Sequence, residues 1–199
     1  MPTNYEDRNY WHQRFASEKS FEWLASSEQF LELFALYLKP LPRTAKILHL
    51  GSGTSDLHNH LRECGFTNVT NVDYEPLALE RGQELEWKRF GDVKTAYLVN
   101  DATKMDLPDK YKVFIDKSTS DAIACGGHDA VSLLAEGIRR HIEDDGLWLS
   151  LSFSPSRFEG VGTLFDVELV GKLPTPKLNP YEPEIYYYAY VLRPKTWIV

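Results

Sequence analysis

The chain has 199 residues, with 22 Lys and Arg against 29 Asp and Glu, a formal charge of −7, and 43% hydrophobic residues. It is too apolar to be disordered and long enough to bury roughly 70% of its unfolded surface without a metal or disulfide staple. Its acidity argues against a protein that grips phosphate backbones, and no run approaches the ~20 apolar residues of a membrane span.

Two cysteines, Cys64 and Cys125, form no CxxC, and six histidines show no zinc-ligand spacing. Free thiols in a reducing compartment follow. The N-terminus, MPTNYEDRNYW, has no apolar signal core. The expectation is one soluble cytoplasmic domain, monomeric, with no metal, nucleic-acid or membrane partner.

Residues 26–38 place Phe30, Leu33, Phe34 and Tyr37 on one helical face, with Ser26 and Ser27 as cap candidates. Pro40 and Pro42 end that helix. Ala45–Leu50 reads as a short buried strand, followed at once by Gly51-Ser52-Gly53-Thr54-Ser55. Asp56 to Cys64 reads as a helix stopped by Gly65, and Val69–Val72 as a second strand ending in Asp73. Pro76 to about Phe90 is helical, with Pro76 suited to the first turn. Thr95–Val99 is a third strand ending in Asn100-Asp101, and Lys112–Asp116 a fourth. Residues 128–142 are amphipathic, with Val131, Leu134, Ala135, Ile138 and Ile142 on one face. Gly146 is expected to break the chain before a fifth strand, Leu147–Phe153.

This alternation specifies an α/β fold, a doubly wound and mostly parallel sheet. After residue 153 the rhythm changes. Thr163–Val170 and Glu184–Leu192 read as strands joined by a Pro-rich loop, an antiparallel pair at the end of a seven-stranded sheet. The expected division is a helical lid over 1–40, a cofactor-binding core over 45–155 and antiparallel strands over 156–199.

In such a fold the ligand sits beyond the carboxyl ends of the strands. Gly51 and Gly53 let the first strand-to-helix turn bend tightly and come close to a ligand. Asp73 lies 73 − 51 = 22 residues after that turn, where a carboxylate accepts both ribose hydroxyls. Asp101 ends the third strand, placed to accept from an adenine amino group. Each Asp alone reads equally as a strand-end residue or a helix cap; together they point to an adenosine cofactor.

A dinucleotide fingerprint needs a third glycine, and Asp56 stands there, repelling a pyrophosphate. A YxxxK pair and a GxxxxGK[ST] loop are both absent. An NAD(P) oxidoreductase and a nucleoside triphosphatase are therefore disfavoured. S-adenosylmethionine, cationic and without phosphate, suits acidic and aromatic surroundings.

Four segments carry a family resemblance: Tyr10–Phe15 (YWHQRF) with Phe21-Glu22-Trp23, Ile47–Ser55, Asn71–Tyr74, and Ile115–Ala122 (IDKSTSDA). Over residues 9–155 the chain resembles the class I, seven-stranded S-adenosylmethionine methyltransferases, and within them the elongation factor 1A lysine methyltransferase branch. The resemblance implies that Gly51, Ser52 and Gly53 pass the methionine moiety, Asp73 binds ribose and Tyr74 flanks adenine. It places Asp101 and Ala102 at the adenine edge, and Asp116 and Lys117 beside the cofactor. Trp11, Phe15 and Trp23 would fold a lid over it, with Arg14 reaching its carboxylate. Trp11 and Trp23 also suit a sulfonium through cation–π contacts, or simply pack in the core.

His49 departs from the acidic residue many class I enzymes carry there, and Ser55 and Ser118 replace glycines of the branch pattern. The expected function is methyl transfer to a lysine of a protein substrate, leaving S-adenosylhomocysteine. Asp116 and Asp121 are the candidates to orient the acceptor, although Asp121 reads equally as a helix cap. Methylation of a small N, O or S acceptor and a non-catalytic binding module are the alternatives. Tyr186, Tyr187, Tyr188 and Tyr190 put aromatics on both faces of one strand, for sheet packing or an acceptor cleft.

Overall fold

The computed structural model describes residues 5–127, 129–177, 179, 181 and 183–196. Three helices come first: α1 (Arg8–Ser17), α2 (Ser27–Leu33) and α3 (Ala35–Leu38). Ser26 caps α2 in a reciprocal capping box with Gln29. The helix expected over 26–38 is interrupted at Phe34, whose φ of −102° and ψ of 14° leave the helical region while its ring stays fully buried.

The alternating part follows the expected order, with ends shifted by a residue or two except at the fifth strand, which begins at Ile142 rather than Leu147. β1 (Ile47–Leu50), α4 (Leu57–Glu63), β2 (Val69–Asp73), α5 (Pro76–Phe90), β3 (Ala96–Val99) and β4 (Tyr111–Lys117) lead to α6 (Thr119–Ala124) and α7 (Ala130–His141). Residue 128, where the last of these helices was expected to begin, lies outside the described residues. β5 (Ile142–Ser152), β6 (Phe165–Pro174) and β7 (Tyr186–Pro194) complete a seven-stranded sheet in the order β3-β2-β1-β4-β5-β7-β6. Pairings are parallel up to β5, and β7 pairs antiparallel with both β5 and β6. The C-terminal pair is thus as expected, two residues late at each start. Of its connecting loop, residues 178, 180 and 182 lie outside the described residues.

Gly146 does not break the chain: β5 runs through it, and its register against β4 shifts between Tyr111 and Val113. A Cβ at Gly146 would lie 2.6 Å from Ile142 Cγ1 and 3.1 Å from Lys112 O, so glycine serves close strand approach there rather than a turn.

Alternate residues face opposite sides of the sheet, and both sides are apolar. Ile47, Val113, Ile115 and Leu149 pack under Phe30, Phe34, Leu57 and Leu61, from α2 to α4. Leu48, Leu50, Phe114 and Trp148 pack under Leu134, Ala135 and Ile138 of α7. This two-sided burial accounts for near-continuous hydrophobic runs in the central strands. Among the described residues no helix is long and apolar enough to cross a membrane, and no cluster of His, Cys, Asp and Glu could hold a metal ion.

Candidate functional site

The carboxyl ends of β1 to β4 open into a cavity of about 830 Å³, closed from above by α1 and the irregular segment after it. The turn after β1 forms its floor. Gly51 and Gly53 have φ of +56° and +51°, in the left-handed region that glycine enters without strain. Beside Gly53 the Phe15 ring approaches to 3.7 Å of where a Cβ would stand.

Hydrogen bonds tie three loop tips together. Ser52 N–H donates to Val72 O at 3.0 Å, Gly53 N–H to Asp73 Oδ2 at 2.9 Å, and Asn100 N–H to Asp73 O at 3.0 Å. Asp73 Oδ1 also accepts from Glu75 N–H at 3.0 Å. Burial is the largest influence on this carboxyl and pushes its pKa up to about 6. Tyr74 lies beside it, with the Arg8 guanidinium 5.2 Å over its ring and donating to Tyr74 O at 2.7 Å. Asp101 lines the cavity, and its Oδ1 accepts from Thr103 N–H and Oγ–H at the start of the 3-10 turn Ala102–Lys104.

Gly51, Ser52, Gly53, Asp73, Tyr74, Asp101 and Ala102 all line this cavity, as do Trp11, Phe15, Trp23, Lys117 and Asp121. Trp11 stacks on Phe15 with centroids 5.5 Å apart and meets Trp23 edge-on at 5.9 Å. Three expected roles differ from the geometry.

Asp116 does not reach the cavity. It is fully buried beneath it, accepting from Ser120 N–H and from Ser150 Oγ–H, both at 3.0 Å. It can neither touch a cofactor there nor orient an acceptor. Asp121 lines the cavity, but Oδ1 accepts from Ser152 Oγ–H at 2.6 Å and Arg157 Nε–H at 2.9 Å, and Oδ2 from Phe153 N–H at 2.9 Å. It positions the segment carrying Phe153 rather than an incoming amine. Arg14 sits behind the lid, bonded to Glu18 and Tyr10 and lying over the Phe21 and Trp23 rings at 4.9 and 4.7 Å.

Lys117 is in place, but its ammonium turns from the cavity to the Glu22 carboxylate and to Ala25 O. Burial pushes its pKa down to about 7. Tyr5, Arg8 and Phe153 also line the cavity, and Glu18 and Glu22 tie the segment above it to the turn after β1; none of the five was given a role from sequence. Glu18 lies in a polar stretch and Glu22 between aromatic residues, and neither spacing marks a tether.

Asp116 gives a clean prediction. Burial pushes its folded pKa up to about 6. Between an unfolded value near 3.8 and that value the folded state holds the extra proton, so this group's contribution falls as pH rises through that window, by on the order of 3 kcal/mol. Asp116→Asn removes that dependence. Its urea midpoint should therefore gain on the parent protein between pH 4.5 and 7.5, with cofactor affinity unchanged within about threefold. A midpoint difference that stays flat with pH refutes the assignment.

The residues fit an adenosine sulfonium better than a phosphate. Asp73 offers a buried carboxylate with acceptor capacity left over, and Ser52 and His49 line the cavity, with Ser52 Oγ and His49 Nδ1 buried and without a hydrogen-bond partner among the described residues. Burial pushes His49 down to about 3, so its ring is neutral in ordinary buffers.

No family model matches the chain. Methyltransferase srdJ of Neurospora crassa is 50% identical over 98% of this chain and 86% of that protein. The eEF1A lysine and N-terminal methyltransferase homolog of Drosophila melanogaster is 32% identical over 72% of this chain, which spans only 22% of that relative's length. The N-methyltransferase NodS from Bradyrhizobium japonicum WM9, solved with S-adenosyl-l-homocysteine, shares the fold with a TM-score of 0.67 over 91% of this chain and 97% of that one, at 11% identity. The fold and these relatives place the chain in the class I S-adenosylmethionine-dependent methyltransferases. Within that class it resembles the branch named for elongation factor 1A lysine methylation.

Proposed function

We propose that the cavity holds S-adenosylmethionine with its adenosine across the β1, β2 and β3 tips, and that the methyl group passes to a lysine amine of a protein. The convergence of Gly53, Asp73 and Asn100 through direct hydrogen bonds carries the first part. In this reading Asp73 accepts from the ribose hydroxyls, Tyr74 flanks the adenine with Asp101 and Ala102 at its edge, and Ser52 and His49 face the amino-acid end. The cofactor supplies a methyl group already activated on a sulfonium, so the protein's work is alignment and exclusion of water.

The acceptor end is walled by Phe21, Trp23 and Phe153. Aromatic walls suit the apolar stem of a lysine and disfavour its charged form. With an unperturbed pKa near 10.4, only about one lysine in 10³–10⁴ is neutral at pH 7, so desolvation at this mouth raises the reactive fraction. The Asp121 oxygens are engaged, which leaves the proton to pass to solvent. The fly relative's name supports a protein acceptor.

A second reading, a small-molecule acceptor, draws on the cavity size; the Neurospora relative, which matches nearly the whole chain, is named only as a methyltransferase. One experiment separates the two. The protein is incubated with methyl-labelled cofactor and a cell lysate or its low-mass filtrate. Label on lysine in a protein band is the expected result; label confined to the filtrate overturns the lysine reading.

A further inference from the structure

The segment joining α1 to α2 has no regular structure, yet it carries Phe21, Trp23 and Leu24 to the cavity wall. Its backbone is strained at one point. Leu24 has a φ of +64°, and Ala25 N–H donates to Trp23 O at 2.7 Å across it. That is the positive-φ form of a three-residue turn, rare for any side chain and costly for a branched one. Such a turn persists only where its surroundings over-determine it.

The surroundings here converge on one ion pair. The Lys117 ammonium, 2% exposed, meets Glu22 on one side of Leu24 and donates to Ala25 O, 3.1 Å away, on the other. Glu22 in turn accepts from Asp56 N–H and Ser55 Oγ–H, both at 2.8 Å, and from Ser27 Oγ–H at 3.2 Å. One carboxylate thus joins the strained segment to the end of β4 and to the glycine turn. A second tether lies just upstream, where Thr54 Oγ–H donates to Glu18 at 2.5 Å.

We propose that Glu22 and Lys117 are positioning residues whose ion pair clamps the Leu24 turn, and so holds Trp23 and Phe21 over the methyl end of the bound cofactor. The proposal rests on the cofactor placement given above. Neither charged group touches the cofactor; both act through the strap. Because the same carboxylate also bonds the turn after β1, the strap and the floor of the cavity move as one body.

The test uses the whole chain with S-adenosylhomocysteine as probe, followed by calorimetry and amide hydrogen exchange. Glu22→Gln should weaken binding about tenfold, the loss of one charge-assisted tether. It should also speed exchange at residues 20–26 in the cofactor-free protein while β1 and β4 keep their protection. Glu22→Gln leaves a buried ammonium unpaired, which by itself destabilises the fold. Glu22→Gln combined with Lys117→Met removes both charges. Its unfolding midpoint should recover towards that of the parent protein while the affinity stays low and the strap stays exchanging. Parent-like affinity in the double variant, or a protected strap in Glu22→Gln, overturns the clamp. If the parent protein fails to bind the probe, the cofactor placement is what fails, and strap exchange in the two variants still decides the clamp.

Discussion

Asp73→Ala lowers affinity for S-adenosylhomocysteine by roughly two to four orders of magnitude and leaves the protein folded. The expectation follows from what the carboxylate holds. It joins Gly53 N–H and Glu75 N–H in the free protein, and in the proposed complex it accepts from two ribose hydroxyls. Hydrogen bonds to a charged acceptor contribute about 1.5–3 kcal/mol each, so losing two gives roughly 10²–10⁴ in binding. The same group sets a pH dependence. Its pKa in the free protein is pushed up to about 6 by burial, and the ligand needs the ionised form. Affinity of the parent protein should therefore be flat above pH 6 and fall about tenfold per unit below it. Asp73→Asn should abolish that slope. Calorimetric titrations at pH 5 and 7.5 check both points, and equal affinity at the two pH values in the parent protein would remove Asp73 from the ribose site.

Gly51→Ala should be the most destabilising single substitution at the cavity. A Cβ there would stand 2.3 Å from Thr119 Oγ1 and 2.5 Å from Thr119 Cγ2, and the backbone φ is +56°. Thr119 has little room to yield, because its hydroxyl donates to Leu50 O at 2.9 Å. Left-handed backbone costs an alanine about 1–2 kcal/mol, and forcing atoms into a packed site adds about 1–3 kcal/mol. Together these lower the melting temperature by on the order of 10 °C at this chain length. Adding Thr119→Ala should restore the steric part and leave the backbone part, so the double variant should melt between the single variant and the parent. A Gly51→Ala protein melting within about 2 °C of the parent would contradict the close packing of β1 against α6 described here.

Much of the frame was legible in the residues themselves. Strand-to-helix alternation from Ala45 to Phe153 predicts a parallel sheet, because β periodicity, helical periodicity and glycine turns are written within a few neighbouring positions. The convergence of Gly53, Asp73 and Asp101 follows from topology: in a doubly wound sheet successive strands end at the same edge. Gly146 misled the reading because a glycine that breaks a chain and one that lets two strands approach look alike in sequence. Phe34 interrupts its helix to bury its ring, a tertiary demand that overrides helical pattern.

The chain's own residue order determined the class of fold and the sheet edge at which Gly53, Asp73 and Asp101 meet, since each rests on local pattern plus a fixed rule of connection. The use of its charges was decided by the tertiary structure alone. Asp116, Asp121, Lys117 and Glu22 are all strand-end or loop ionisable groups in sequence. One lies beneath the cavity, one secures Phe153, and two form an ion pair. The physical reason is that a charge's role depends on its desolvation and its partner, and those partners lie 34, 36 and 95 residues away for Asp116, Asp121 and Lys117.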